Sequence, residues 1–500
     1  MEASGIIKER PVKLIVAVLA LGILPVMSLA QPTELTTEKP WKFIVTCDSR
    51  GYTNGINQTI LSELVNEILS QDVDFLLFPG DLVTGYTSIG PAGFEAQLRE
   101  WVRITEPIYN AGIGVYVSRG NHEVMDIWGY SIRPDINPYD NNATRWLNVF
   151  GNDLYPEQKL PDNGPAAEKY MTYSVTHKNA FIVSLDQYAG INHEEVHTIN
   201  QKWLDAQLTA NTKPHIFIIG HEPAFRALHP DCLDNRPLER DAFWESLKNA
   251  GCRTYFTGHD HFYDHACIDD GDGDPDNDIH QLIIATAGAP IYSWSGPYAG
   301  NNSYYTIEQL YHSENYGYVL VEVDGFNVTL TWMQRHTNDL DIPGIYQPEE
   351  VGLAIPGGNW SYTVTPKPVI ISPNGGENLT TAGPCFITWK TTEGAELDTV
   401  TIEYSTDGGQ NFQKIETVPN TGSYTWNPLP VIDSRQCLIR IEDPHDAAIS
   451  DTSDRPFTIF QCKKQLVGDL NNDCYVDFID FAILAGNWLE CANPFDASCN

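Results

Sequence analysis

The sequence predicts an α/β domain, then an all-β sandwich, then a small tail made of a calcium loop and a helix. Three observations lead there. Apolar strand runs alternate with helical patterns from Trp41 to about Arg335, the helical period then stops, and residues 461–500 are rich in Cys, Asp and Asn. A length of 500 residues leaves room for two to four domains. With 42% hydrophobic and 19% charged residues, and 12 Trp, 24 Tyr and 19 Phe to fill cores, the chain is folded rather than disordered.

The first domain, residues 31–341, opens with strand Lys42 to Cys47. Helix Gln58 to Leu69 follows, with Ile60, Leu61, Leu64, Val65, Ile68 and Leu69 on one face. Strand Phe75 to Phe78, helix Phe94 to Tyr109 and strand Gly114 to Val117 continue the alternation. Next come strand Ala180 to Leu185, helix Ile199 to Leu208, strand His215 to Ile219, helix Arg240 to Asn249 and strand Arg253 to Phe256. Strands Gln281 to Thr286, Gly317 to Val323 and Asn327 to Trp332 close the series. This layout buries a sheet beneath helices. Residues 342–367 are rich in Pro and Gly and read as a linker. In residues 368–460, the short runs Phe386 to Trp389, Val400 to Tyr404 and Phe412 to Ile415, with a turn at Asp407-Gly408-Gly409, predict a sandwich.

Thirty Lys and Arg stand against 66 Asp and Glu, a net charge of -36. Binding of nucleic acid or anionic membrane through the overall field is excluded, and an anionic substrate would need local positive charge. At the start, Lys8, Arg10 and Lys13 precede an apolar stretch from Leu14 to Met27, and Ser28-Leu29-Ala30 supplies small residues. Residues 1–30 therefore read as a signal peptide, which implies secretion to the periplasm, the cell surface or the medium with no transmembrane segment after cleavage. All ten Cys lie beyond Ala30. Disulfides are expected between Cys385 and Cys437, between Cys232 and Cys252 or Cys267, and among Cys462, Cys474, Cys491 and Cys499.

The polar residues of the first domain fall just past strand ends. Asp48-Ser49-Arg50 follows the first strand, Gly80-Asp81 the second, and Arg119-Gly120-Asn121-His122-Glu123 the third. Gly220-His221 and Gly258-His259-Asp260-His261 end two later strands. Carboxyl ends of strands are where open α/β sheets build sites. Imidazole and carboxylate together suit Zn, Mn, Fe, Ni or Co. A carboxylate shared by two such ions would make a two-metal hydrolytic centre.

These five motifs, in this order, resemble the calcineurin-like metallophosphoesterase superfamily across residues 42–335. The resemblance implies a four-layer fold of two packed sheets flanked by helices, and hydrolysis of a phosphomonoester or phosphodiester substrate by metal-activated hydroxide. It assigns Asp48, Asp81 and His261 to one metal, and Asp81, Asn121, His221 and His259 to the other. His122 would be the general acid or the group that orients the leaving oxygen, and Arg119 a phosphate contact. Arg50 stands where the family usually has a His ligand, and a guanidinium does not ligate metals. Three outcomes follow: water or Tyr86 fills the gap, the site works with one tightly bound ion, or Arg50 supplies charge by clamping the phosphate. Cys47 reads as a small buried strand residue, and His265 and His280 as surface residues. The loop from Asp126 to Gly164 carries Trp128, Tyr130, Tyr139 and Trp146, either as pocket wall or as packing.

Asp269 to Asp278 alternates Asp with Gly, a pattern that would wrap calcium near the active-site rim or remain a solvated acidic loop. In the tail, Asp469, Asn471, Asp473, Tyr475, Asp477 and Asp480 occupy loop positions 1, 3, 5, 7, 9 and 12, the spacing of a calcium loop. Phe478, Phe481, Ala482, Ala485 and Trp488 then recur on one apolar helix side, expected to pack on the sandwich or face a partner. The loop resembles one repeat of a type I dockerin, which implies a cohesin or a cell-surface scaffold as partner. The sandwich weakly resembles immunoglobulin-like modules of secreted bacterial enzymes. Two other readings stand beside the hydrolase: a binding or adhesion protein with a degenerate phosphoesterase domain, and a scaffold-associated polysaccharide hydrolase.

Overall fold

The structure, a computed structural model, describes residues 39–85, 91–124, 142–188, 196–300, 304–348, 358–464 and 466–488. The expected signal peptide, Tyr86, Trp128, Tyr130, Tyr139, Cys491 and Cys499 lie outside them. Among the described residues no helix is long and apolar enough to cross a membrane.

Two seven-stranded sheets form the first domain. The central strands of one are Trp41–Val45, Phe75–Pro79 and Gly114–Ser118, all parallel, with Gly317–Asp324 antiparallel to the first. The other runs through Ala180–Ser184, His215–Ile219, Thr254–Thr257 and Ile279–Ile284, again parallel. Strands flanked on both faces must be apolar throughout, and Phe75–Pro79 and His215–Ile219 are buried at every position. Facing rings close the space between the sheets: Phe43 stacks on Phe75 at 4.8 Å and meets Phe217 edge-on at 4.8 Å.

Helices cover the outer faces. Gln58–Ser70 buries Ile60, Leu61, Leu64, Val65 and Ile68, as its period predicts, and Asn57 caps it by accepting from the Ile60 N–H at 3.3 Å. Pro91–Asn110 lies beside it, while Gln201–Ala210 and Pro237–Asn249 supply Leu204, Leu208, Phe243, Trp244 and Leu247 to the core under the second sheet. The order is helix, sheet, sheet, helix. Trp146 is packing: it is buried, donates Nε1–H to the Tyr170 carbonyl at 2.8 Å and rests on Phe150.

Several expectations need correction. Residues 342–367 are not all linker, because Tyr346–Pro348 and Asn359–Thr363 add as antiparallel strands to Asn327–Arg335 and bury Tyr346 and Tyr362. Strands Tyr173–His177, Tyr263–Asp269 and Thr306–Ser313 extend the second sheet. Their polar content hides them in the sequence. His265 and His280 are interior rather than surface residues, a buried pair with Nε2 of His265 2.7 Å from Nδ1 of His280, and Trp360 lies flat on His280 at 3.7 Å. The loop Asp269 to Asp278 is not at the rim of the strand-end motifs. Tyr263–Asp269 runs seven residues back from the Gly258–His261 turn, about 20 Å away along the sheet. There Lys248 Nζ pairs with Asp270 and, at 2.8 Å, with Asp272.

The following domain is a two-sheet sandwich of three and six strands. Ile370, Ile387 and Trp389 of one sheet pack against Val400, Ile402, Ile439, Ile441 and Ile459 of the other. Cys385 and Cys437 are free thiols in this core, and Cys232, Cys252 and Cys267 are free as well. Buried Cys serves there as a small apolar residue, so the expected cross-links are absent. Lys390 Nζ donates to the Leu208 and Thr209 carbonyls at 2.6 and 3.0 Å. It thereby caps the last turn of Gln201–Ala210 from the sandwich side.

The disulfide Cys462–Cys474 and a bond from Thr380 Oγ1 to the Asn472 carbonyl tie the tail to the sandwich. Asp480 accepts from the N–H groups of Leu470, Asn471 and Asp477, and Asp477 caps helix Phe478–Gly486. The apolar side of that helix does not pack on the sandwich, since Phe478 is 88%, Phe481 63% and Trp488 68% exposed. The tethers hold the loop, and a nine-residue helix projects beyond them.

Burial drives the pKa of His265 down to about 3 and that of His280 well below its usual value. A histidine that stays neutral when folded loses stability as pH falls through its unfolded pKa, because the unfolded chain takes up the proton. At pH 5 each imidazole should cost about 2 kcal/mol relative to pH 7. Urea unfolding at pH 7 and pH 5 should therefore show a larger acid loss in wild type than in His265→Gln/His280→Gln. Equal losses would contradict the buried neutral pair.

Candidate metal centre

Five strand ends deliver their side chains to one pocket. Backbone hydrogen bonds set the ends together: Asp48 N–H donates to the Gly80 carbonyl at 3.2 Å and Gly258 N–H to the His221 carbonyl at 2.8 Å. Asp48, Asp81 and His259 have φ of 63°, 50° and 75°, a left-handed conformation that costs energy and is kept at functional sites. Two glycines permit the approach, because a Cβ on Gly120 would collide with Asp81 Oδ1 and one on Gly258 with Asp48 Oδ2.

The polar atoms crowd together. Asn121 Oδ1 lies 2.9 Å from His221 Nε2 and 3.1 Å from His259 Nδ1, and Asp81 Oδ1 lies 3.4 Å from the same His221 nitrogen. His221 Nδ1 faces the Pro79 carbonyl at 2.9 Å, an atom that only accepts, so Nδ1 carries the proton and Nε2 presents its lone pair inward. Asp48 is fully buried, and its Oδ1 has no hydrogen-bond partner. One ligand atom from each of Asp48, Asp81 and His221 lies within 4.8 Å of the others. The His221 lone pair facing buried carboxylate and amide oxygens fits a divalent cation, and the mixed donor set suits the borderline transition ions.

Arg50 alters the other half of the site. It sits on a tight turn closed by an Arg50–Ile56 bridge. Its Nη2 is 2.9 Å from His261 Nε2 and 3.3 Å from the Tyr292 hydroxyl, and its Nε is 3.5 Å from Asp81 Oδ2. The guanidinium thus stands between Asp81 and His261, two residues the resemblance assigns to a metal.

The electrostatics differ from group to group. Burial pulls His259 down, but its hydrogen bond to Asp231 and the charges of Asp260, Asp231 and Glu222 outweigh burial and raise it to about 9, so this imidazole must give up a proton before it can ligate. Burial, then the repulsion of Asp81, holds the Asp48 carboxyl well above its usual range. For Asp81 burial pulls upward, but His221, His122 and Arg50 outweigh it and keep the group well below the carboxylate range. Burial lowers His221 to about 4 and thus leaves it neutral, as a ligand must be. His122 donates Nδ1–H to the Thr84 carbonyl at 2.7 Å, and its Nε2 is 3.9 Å from Asp81 Oδ2 at the floor of a cavity of about 190 Å³. Cys47 is buried with Sγ on the Ile284 carbonyl.

Arg119 is placed elsewhere. It is buried in a two-pronged pair with Asp186, Nε to Oδ1 at 2.8 Å and Nη2 to Oδ2 at 2.7 Å, and does not line the cavity. Its partner lies 67 positions away, which no local motif announces. Glu123, given no role from sequence, holds the loops by accepting from the N–H groups of Gly120, Asp81 and Val83 at 2.7, 2.9 and 3.2 Å. His229, Asp231 and Tyr292 also line the cavity. The only signals for them were a His-Pro-Asp triplet and a tyrosine in a Pro-containing turn after the Gln281 to Thr286 strand.

Residues 55–263 match the calcineurin-like phosphoesterase family. The chain carries a metallophosphoesterase-family domain. Among solved structures, one titled "Structure of PhoD" is similar at 12% identity with a TM-score of 0.46, over 65% of this chain and 70% of that one. No curated protein matches the chain significantly. Asp48 and Arg50 lie just outside the matched segment, whereas Asp81, Asn121, His221, His259 and His261 of the phosphoesterase domain lie within it.

If Arg119 is a structural partner of Asp186, Arg119→Leu strands a buried carboxylate and should destabilise the fold by about 3–5 kcal/mol. Chemical denaturation measures this. Unchanged stability with a raised KM would instead make Arg119 a phosphate contact.

Proposed function

We propose that this protein is an exported, metal-dependent phosphoesterase that hydrolyses phosphomonoester or phosphodiester bonds. One observation carries the reading: Asp48, Asp81, Asn121, His221 and His259 converge as cation ligands at the carboxyl ends of parallel strands. A divalent ion held there supplies polarisation of a phosphoryl oxygen and a more acidic water. The chain's own groups do the rest. Asp81 turns one oxygen to His221 and the other toward Arg50, so it sits between the two positive regions of the pocket. Arg50 lines the cavity, where its guanidinium would meet a phosphate oxygen through a charge-assisted hydrogen bond. His122, with Nδ1 fixed by Thr84, directs the Nε2 lone pair toward the cavity, where it would take up a proton from the attacking water and pass that proton to the departing alkoxide. Tyr292, His229 and Asp231 wall the approach and bear on which ester enters.

Export is supported by the charged and apolar pattern of residues 1–30 and by the Cys462–Cys474 disulfide, which persists in oxidising compartments. For the tail we propose calcium binding at Asp469, Asn471, Asp473, Tyr475, Asp477 and Asp480. Here the carboxylates of Asp469, Asp473 and Asp480 accept backbone N–H groups of their own loop, as in a loop folded around an ion. The exposed apolar side of the helix beyond it favours attachment to a scaffold such as a cohesin over a purely structural role. Calorimetric titration of the full chain with calcium should give a binding heat that Asp469→Ala removes; identical titrations would discard the calcium reading.

The phosphoesterase reading is tested with p-nitrophenyl phosphate and bis-p-nitrophenyl phosphate, after chelation and again with manganese restored. Turnover should depend on the metal and fall more than about 100-fold in Asp81→Asn, beyond the loss seen when an outer partner of a metal ligand is removed. No turnover of either ester with any transition ion, in folded protein, would shift the weight to a binding protein with a degenerate site.

A further inference from the structure

The site is open to a cation on one side and already filled on the other. We propose that it holds a single divalent ion, and that Arg50 is the second positive charge, built into the chain where a second ion would otherwise sit. This rests on the phosphoesterase reading and narrows it.

The geometry carries the argument. His261 Nδ1 is 2.9 Å from the Pro290 carbonyl, so Nδ1 holds the proton and Nε2 has the one available lone pair. Arg50 Nη2 takes that lone pair at 2.9 Å, and a lone pair given to a guanidinium N–H is not available to a metal. The same guanidinium reaches Asp81 Oδ2 through Nε at 3.5 Å. Asp48 Oδ1, the third group of this half, is 3.5 Å from the same His261 nitrogen. Two of the atoms that would enclose an ion, His261 Nε2 and Asp81 Oδ2, are thus engaged by the cationic head of Arg50.

Arg50 is not a side chain that swings aside freely. Tyr292 stacks on the His261 ring at 4.2 Å and accepts from Arg50 Nη2, its own N–H is held by the His261 carbonyl at 2.8 Å, and the 50–56 turn fixes the arginine backbone. A guanidinium stays protonated at any working pH, so an ion entering here would face a permanent positive charge at contact distance. On the other side, His221 Nε2 meets the oxygens of Asn121 and Asp81 rather than a cationic side chain. A phosphoryl group would therefore bind with one oxygen toward the ion and another on Nη1 of Arg50, the guanidinium nitrogen not engaged by Asp81, His261 or Tyr292.

The test counts ions in the full chain. Metal-stripped protein is dialysed against Mn²⁺, bound manganese is measured by elemental analysis, and its electron paramagnetic resonance spectrum is recorded. Asp81→Ala sets the background from acidic loops elsewhere. Wild type should bind one Asp81-dependent ion with an uncoupled six-line spectrum. Arg50→His should bind two, with the multiline spectrum of an exchange-coupled pair. Two coupled ions in wild type would overturn the inference and leave the phosphoesterase reading intact. One ion in a folded Arg50→His would also overturn it, because Arg50 would then not be what limits the count. No Asp81-dependent ion in folded wild type would remove the phosphoesterase reading and this inference together. The wild-type count decides by itself if Arg50→His does not fold.

Discussion

Acceptor atoms gathered at buried strand ends are the constraint on which this structure turns. Asp48, Asp81, Asn121, His221 and His259 bring their oxygen and nitrogen atoms to within about hydrogen-bonding distance, and the Nε2 lone pair of His221 faces the oxygens of Asn121 and Asp81. Burying carboxylates so close together costs free energy, and a cation among them offsets that cost. Arg50 compensates part of the charge permanently. A divalent ion compensates the remainder.

The scaffold is shaped to hold that arrangement against its own repulsion. Parallel strands from two sheets end at the same level, and the bonds from Asp48 to Gly80 and from Gly258 to His221 lock neighbouring ends together. Left-handed backbone at Asp48, Asp81 and His259 aims the ligands inward and stores strain that the packed strands pay for. Around them stand groups that never touch the ion's place. Glu123 gathers three N–H groups of the loops that carry Asp81 and Asn121, and the Pro79 and Pro290 carbonyls fix which nitrogen of His221 and His261 faces inward. The Arg119–Asp186 pair braces the base of the same loop from beneath.

What could be read from the sequence was local: an apolar run, then a glycine, then a polar residue able to bind metal. Asp81, Asn121, His221 and His259 were legible on those grounds, since each follows a strand that its own composition declares. The helix Gln58–Ser70 was legible for the same reason, its period matching its buried face. Pairings across long separations were not. Arg119 read as a phosphate contact because its motif lies beside the site, whereas its orientation is set by Asp186. His265 and His280 looked like surface residues because a histidine declares its environment only through a partner, here each other and Trp360. Tyr346–Pro348 and Asn359–Thr363 were hidden by the prolines and glycines around them, although edge strands tolerate such neighbours. The expected disulfides of the sandwich failed because a buried thiol and half of a cystine look the same in a sequence.

The most direct test of the central claim, that these strand ends form a metal centre, is crystallographic. Crystals grown with manganese should show an anomalous difference peak bounded by Asp48, Asp81, Asn121, His221 and His259, with the Arg50 guanidinium still on His261. A map with no peak among those residues, or with the His221 and His259 rings turned out of the pocket, would contradict the account.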